Sequence, residues 1–186
     1  SAAADTLTGG FGSDTLTGGD GNDVLAGDGP VAGAWHFETF DKDFTSSAGQ
    51  AFDIEDGTRT GSGYVSDFDE GGLTHSVRGT TGNPEDLGVV YTSTLNTTLG
   101  GTYRLTTSSD DGSTIQIFDS AGNPVPFANQ TGGTLDYLNN DFHQGTTTRF
   151  GDVNLDPNET YTIQIRYWEN LGGDSLAATI SGPDTG

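Results

Sequence analysis

The sequence predicts an all-β protein: an antiparallel β-sandwich with a short glycine- and aspartate-rich repeat segment in front of it. Three observations carry that expectation. Short runs alternate apolar and polar residues with period two, most clearly over 101–108, 113–118 and 159–168. Clusters of Gly, Asp, Asn, Ser and Thr separate the runs, and 30 glycines leave room for many turns. No helical period persists beyond a single turn.

The repeat comes first. Residues 9–29 read GGFGSDTLTGGDGNDVLAGDG and hold two consecutive nine-residue units of the form G-G-x-G-x-D-x-(apolar)-x, at 9–17 and 18–26. Glycine permits a tight turn and a close approach of exposed carbonyls. Asp14 and Asp23 supply carboxylate oxygens, and Leu16 and Leu25 face inward. Residues 5–8 (DTLT) read as the tail of an earlier unit. A flexible linker would account for this composition but not for its register. The units resemble the calcium-binding parallel β-roll repeat of RTX proteins, which implies Ca2+ at Asp14 and Asp23 and a place outside the cell. Such arrays need about three or more stacked units for stability. Residues 1–30 therefore read as the end of a longer array or an ornament on the next domain, and Gly29 and Pro30 punctuate the boundary.

Residues 31–182 are expected to form the sandwich, and 183–186 (PDTG) a linker to a further domain. Only 31% of the residues are hydrophobic, but Phe and Tyr are frequent and spread out, so a β-rich core remains possible. The chain has no Cys and no Met. A secreted domain without disulfides must be stabilised in another way, and bound metal is the obvious candidate. The missing Met suggests an internal fragment, with export encoded elsewhere in the parent chain. No apolar run approaches a membrane span, so no membrane insertion is expected. The formal charge of −21 repels nucleic acid and anionic membrane. It also repels a second copy of the chain unless cations bind or salt screens it, so the isolated domain is expected to be a monomer.

Strand by strand, the weaker candidates are 35–37, 63–65, 89–92, 147–150 and 176–180. In the run 101–108, Tyr103, Leu105 and Thr107 share one face. In 159–168, Tyr161, Ile163, Ile165 and Tyr167 share one face, with Thr162, Gln164 and Arg166 on the other. Residues 119–123 (DSAGN) form a hairpin turn.

Between the two best-patterned runs stands SSDDGS over 108–113. A bare Asp-Asp-Gly is an ordinary turn. Its context is GTYRLTTSSDDGSTIQIFD over 101–119, followed by VNLDPNETYTIQIRYWENLGG over 153–173. These two blocks, in this order and spacing, resemble the signatures of the protective-antigen-type β-sandwich, the domain of anthrax protective antigen, yeast flocculins and many bacterial adhesins. The likeness covers about 35–180. It implies a calcium ion held by Asp110 and Asp111, joined by Asn170, with Gly172 offering a carbonyl and Asp174 a further oxygen. It also implies a cis peptide bond between Asp110 and Asp111, since successive side chains of an extended strand point to opposite faces. Calcium takes about six to eight oxygens at roughly 2.3–2.6 Å, so this donor set leaves positions for a sugar's vicinal diol. The polar and aromatic stretch 137–144 (YLNNDFHQ) falls near the sugar side by the same resemblance. His143 or Gln144 would contact ligand there, or Tyr137 and Phe142 would simply pack the loop. Trp168 is expected to be buried beside the site.

Other signals read more plainly. Asp152, Asn154 and Asp156 have the spacing of a calcium loop, but Pro157 stands where an EF-hand needs Gly and no Glu closes the loop, so a strand running into a turn fits better. The acidic stretches 53–56 and 67–70 read as solvated turns or structural calcium sites. His36, His75 and His143 are scattered, and without Cys they make no zinc pattern. The expectation is a calcium-dependent lectin module of a secreted, cell-surface RTX adhesin, mediating cell adhesion or biofilm formation by binding carbohydrate on other cells. The alternative is a calcium-rigidified structural or protein-binding module. An enzyme is not expected, because carboxylates shared by one calcium are held ionised and make poor acids, and no Ser-His-Asp or His-Glu-x-x-His pattern occurs.

Overall fold

The computed structural model describes residues 6–8, 17, 19, 21, 24–26, 33–68, 73 and 85–185. At the N-terminal end, strand β1 (Thr6–Thr8) pairs in parallel with β2 (Val24–Ala26), Leu7 opposite Leu25. The partners lie two nine-residue units apart, which is the stacking a β-roll requires. Asp14 and Asp23 lie outside the described residues.

The sandwich follows. Its larger sheet contains β3 (Trp35–Asp41), β4 (Thr58–Val65), β5 (Leu87–Asn96), β7 (Gly112–Phe118), β9 (Leu138–Asn140) and β11 (Thr160–Glu169), in the order β4-β3-β5-β11-β7-β9. The smaller sheet is ordered β12-β6-β10-β8, from β6 (Gly101–Asp110), β8 (Phe127–Ala128), β10 (Thr147–Leu155) and β12 (Ser175–Ser181). Every pairing within the two sheets is antiparallel. Seven of the eight expected runs lie within strands, and the eighth, 159–168, begins one residue ahead of β11. The unforeseen β8 and β9 span two and three residues, too short to show an alternation.

The alternating residues do what period two requires. Tyr103 and Leu105 of β6 and Tyr161, Ile163, Ile165 and Tyr167 of β11 are buried in one core with Val89, Tyr91, Ile115, Ile117, Phe127, Leu138 and Val153. Removing such side chains from water is the main favourable term in folding. The larger sheet is also covered on its other face. There the 3-10 helix η1 (Ala51–Asp56) helps bury Trp168 in a second cluster with Phe40, Phe44, Ala51, Ile54 and Val90. The Trp168 ring stacks on Phe44 at 5.4 Å between centroids. The helix has no side-chain cap at its own Gln50. Instead Asp141 accepts the N–H groups of Gln50 and Ala51, both at 3.1 Å, and the indole N–H of Trp168 at 2.6 Å. A two-turn 3-10 helix capped from ninety residues away leaves no clear periodic signal in the sequence.

Asp152 lies within β10, its carboxylate taken by Arg104 and Asn129, so the strand reading of that stretch holds. The turn after β7 closes through Asp119, which accepts the N–H groups of Ala121 and Asn123. Asp184, in the stretch read as linker, folds back. It accepts hydrogen bonds from the Thr98 and Leu99 N–H groups and from the buried Tyr103 hydroxyl. The Tyr103 bond holds the Asp184 carboxyl below its ordinary 3.8, while burial and Asp184 raise Tyr103 to about 12. A depressed carboxyl stabilises the folded state above its unfolded pKa and loses that contribution as pH falls through the folded value. The difference in melting temperature between the unaltered chain and Asp184→Asn is therefore expected to be full at neutral pH and to shrink once pH falls below the ordinary carboxylate value of 3.8. Paired thermal melts along that range check it.

Candidate functional site

The site grows from the corner between β6 and β7. Asp110 ends one strand, Gly112 begins the next, and the Asp110–Asp111 peptide bond is cis, as the resemblance implied. Gly112 admits no side chain: a Cβ there would lie 2.3–2.8 Å from the Trp168 indole. Buried hydroxyls fix the corner from below. Ser109 donates to the Asp111 carbonyl at 2.9 Å and shares a 2.8 Å bond with Ser113, which shares another with Thr107. Asn140 donates to Ser109, and the Tyr167 hydroxyl donates to the Asp110 carbonyl at 2.7 Å.

Asp111 is only 2% exposed. Its Oδ1 accepts the Gln144 N–H at 2.9 Å and its Oδ2 accepts the Asn170 N–H at 3.0 Å. One carboxylate thus draws together the loop after β9 and the loop after β11. Asp110 is less deeply buried. The β11–β12 loop passes close over it, since a Cβ on Gly173 would lie 3.2 Å from its Oδ2. Burial, and next the charge of Asp111, push Asp110 above its ordinary range, with a smaller rise from Asp174; the Thr146 backbone bond opposes them. Asn170 is buried and its amide reaches Ser46 at 3.4 Å. Gly172 has a φ of +117°, which glycine adopts freely. The structure thus brings Asp110, Asp111, Asn170, Gly172 and Asp174 to one end of the sandwich.

His143 and Gln144 have different places. His143 is partly exposed, with Nε2 3.9 Å from Asp111 Oδ1. The Gln144 side chain is tied inward: Nε2 donates to Asn140 Oδ1 at 2.9 Å, and Oε1 accepts from Arg149 at 2.7 Å. Arg149 in turn lies over the Phe142 ring. Tyr137 packs edge-on against Phe52. Of the remaining candidates, Asp53 and Asp56 belong to η1, His36 packs against Tyr64, and Asp69, Glu70 and His75 lie outside the described residues.

Reading the sequence missed Glu169. It is fully buried, and neither carboxylate oxygen has a hydrogen-bond partner among the described residues. Burial, then the charges of Asp111 and Asp110, push it up to about 8; the Asp111 N–H faces it and acts the other way without closing a hydrogen bond. Its place beside Asn170 in a strand of otherwise period-two residues was the available signal. The site thus concentrates carboxylates that resist being charged together, which is the electrostatic setting a cation relieves. Among the described residues, no three His, Cys, Asp or Glu side chains are grouped to hold a metal by themselves. A cation at the corner would draw on the two aspartates together with the Asn170 amide and backbone carbonyls, a hard-oxygen set that fits calcium.

Comparison with known proteins places these parts. Residues 1–29 match the family model of the RTX calcium-binding nonapeptide repeat. No curated protein matches the chain in sequence. Among solved structures, the PA14 sugar-binding domain from an RTX adhesin is similar at 20% identity and a TM-score of 0.51, over 81% of this chain and 90% of that one. The PA14 domain of the MpAFP antifreeze protein is similar at 16% identity and a TM-score of 0.53, over 85% and 88%. The A domain of Epithelial Adhesin 9 from Candida glabrata, in complex with Galb1-3GlcNAc, is similar at 12% identity and a TM-score of 0.54, over 82% and 83%. The chain thus carries RTX calcium-binding repeats at its N-terminal end, followed by a β-sandwich with the fold of PA14 domains.

Proposed function

We propose that the sandwich is a calcium-dependent carbohydrate-binding module of a secreted, cell-surface adhesin and has no catalytic role. The carrying observation is the β6–β7 corner, where adjacent aspartates stand against the Asn170 loop with Asn170 N–H on Asp111 Oδ2. In this reading Asp110, Asp111, the Asn170 side-chain oxygen and the Gly172 carbonyl hold Ca2+, and Asp174 adds its negative charge beside Asp110. The bound ion would supply open coordination positions for two vicinal sugar hydroxyls. Asp110, the more accessible acid, accepts a hydrogen bond from a sugar hydroxyl, while Asp111 keeps both loops in register. His143 stands at the rim. Gln144, engaged with Asn140 and Arg149, supports the loop that carries His143.

Two similar structures support this reading, one named for sugar binding and one holding a disaccharide. A single site of this kind binds a simple sugar at about millimolar Kd, or roughly −4 kcal/mol. Many copies on a cell would supply avidity toward glycans on another surface. One observation favours a second reading: both Asp111 oxygens already accept backbone donors, as a purely structural corner would require.

A glycan array run with Ca2+ and with EDTA separates the two. Binding is expected with Ca2+ only and is lost in Asp110→Ala, whose far-ultraviolet circular dichroism stays unchanged. Failure to bind any glycan in Ca2+ would leave the structural reading.

A further inference from the structure

A hollow of about 460 Å³ lies at the other end of the larger sheet from the aspartate corner, lined among others by Thr94, Phe118, Asp119, Ser120, Thr160 and Thr162. Phe118 stands six residues along β7 from Gly112, about 20 Å away at about 3.3 Å per residue. Strand register builds the hollow. Thr162 of β11 lies between Thr94 of β5 and Phe118 of β7. All three side chains point outward, because Ile163, Tyr91 and Ile117 point into the core. The next row toward the corner is Gln116, Gln164, Thr92, His36 and Tyr64, one from each of five neighbouring strands. At about 4.8 Å between strands, that row is roughly 19 Å long.

The row holds no Asp, Glu, Lys or Arg. In the row beyond it, under η1, the charges are paired: Arg166 with Glu55 and Glu38 with Arg59. The one acid of the hollow, Asp119, is already engaged by Asn123 and the Ala121 N–H. By contrast, the Thr94, Ser120 and Thr162 hydroxyls and the Gln116 amide have no hydrogen-bond partner among the described residues. Hydroxyls and amides both donate and accept. Phe118 adds an apolar ring face at one end, and the His36 and Tyr64 rings, 5.2 Å apart, stand at the other. Free neutral donors and acceptors beside rings suit a neutral saccharide, whose hydroxyls need both kinds of partner and whose C–H faces pack on rings. The formal charge of −21 disfavours an anionic glycan. A plain solvated sheet face would share the hydroxyls but not the hollow.

We propose that the hollow and the adjoining row form a second saccharide site, one that uses no ion. The hollow takes one unit of a linear neutral glycan on Phe118, Thr94 and Thr162, and the row takes the units that follow. The site shares no residue with the aspartate corner and does not rest on the calcium reading. Lacking an ion, it is about tenfold weaker than a millimolar site, so the washing of a glycan array removes its ligand.

Amide NMR on the isotope-labelled whole chain in Ca2+ reads the two ends of the sandwich separately. The probes are cellohexaose and mannohexaose, with hexagalacturonate as the anionic control. At least one neutral hexamer is expected to shift the amides of Thr94, Phe118 and Thr162, and the control is not. Thr162→Glu puts a charge in the middle of the hollow and is expected to weaken these shifts about tenfold at an unchanged melting temperature. Gln116→Ala removes one hydrogen-bonding group and is expected to weaken them about fivefold. No shift at these amides with either neutral hexamer overturns the proposal. Equal shifts with hexagalacturonate, or unchanged affinity in the variants, overturn it as well. If Thr162→Glu does not fold, Gln116→Ala alone decides.

Discussion

Asp111→Asn is expected to abolish calcium-dependent glycan binding and to weaken calcium uptake at the sandwich by more than about a hundredfold, a larger loss than a supporting residue would give. Two effects combine. The substitution removes one of two adjacent negative charges from the donor set. It also puts an N–H2 group where one of two buried N–H donors, from Gln144 or Asn170, needs an acceptor. Leaving a buried donor unmet costs about 1–3 kcal/mol, so the loop after β9 or the loop after β11 should come loose. Asp110→Asn is the informative partner, because Asp110 is more accessible and fixes fewer loop contacts. It should lose binding with a smaller fall in melting temperature. Calcium titration and thermal melts of both variants check the pair. Equal melting losses would show that Asp111 is no more a loop clamp than its neighbour.

Trp168→Ala is expected to produce the largest loss of stability, about 3–5 kcal/mol. At about 2–4 °C per kcal/mol for a domain of this size, the melting temperature falls by roughly 10 °C. The indole is fully buried, stacks on Phe44, and donates to Asp141, which also caps η1. The variant therefore leaves a cavity in the outer cluster and withdraws one of the donors that hold Asp141 in place. Differential scanning calorimetry checks the magnitude. A fall of only a degree or two would mean that the η1 cluster contributes little to the fold.

These two residues show how unevenly the site could be read in advance. Asp111 was legible because SSDDGS stands between two runs of clear alternation and belongs to a recognisable block. Trp168 was legible as buried, but not as the roof over Gly112 or as a ligand of Asp141. Glu169 was not legible as a buried acid, because one carboxylate in an alternating strand looks the same in sequence whether it meets water or the interior. Gln144 was read, by the resemblance, as a sugar contact in alternative to His143 or to a loop that is simply packed. Its actual bonds to Asn140 and Arg149 depend on β9, a strand of three residues. The helix η1 escaped for the same reason, since its cap is supplied by Asp141.

The sequence by itself determined the β character, the eight principal strands, the two nonapeptide units and the aspartate pair at a strand corner. Each is a local matter: strand pleat imposes period two on neighbouring residues, and a turn must be built from residues close together in the chain. Only the tertiary structure decided which distant groups close around that corner. Asp111 meets Gln144 and Asn170 because three loops end at the same edge of the sandwich, and such meetings are set by strand order and register, which no short window of residues contains.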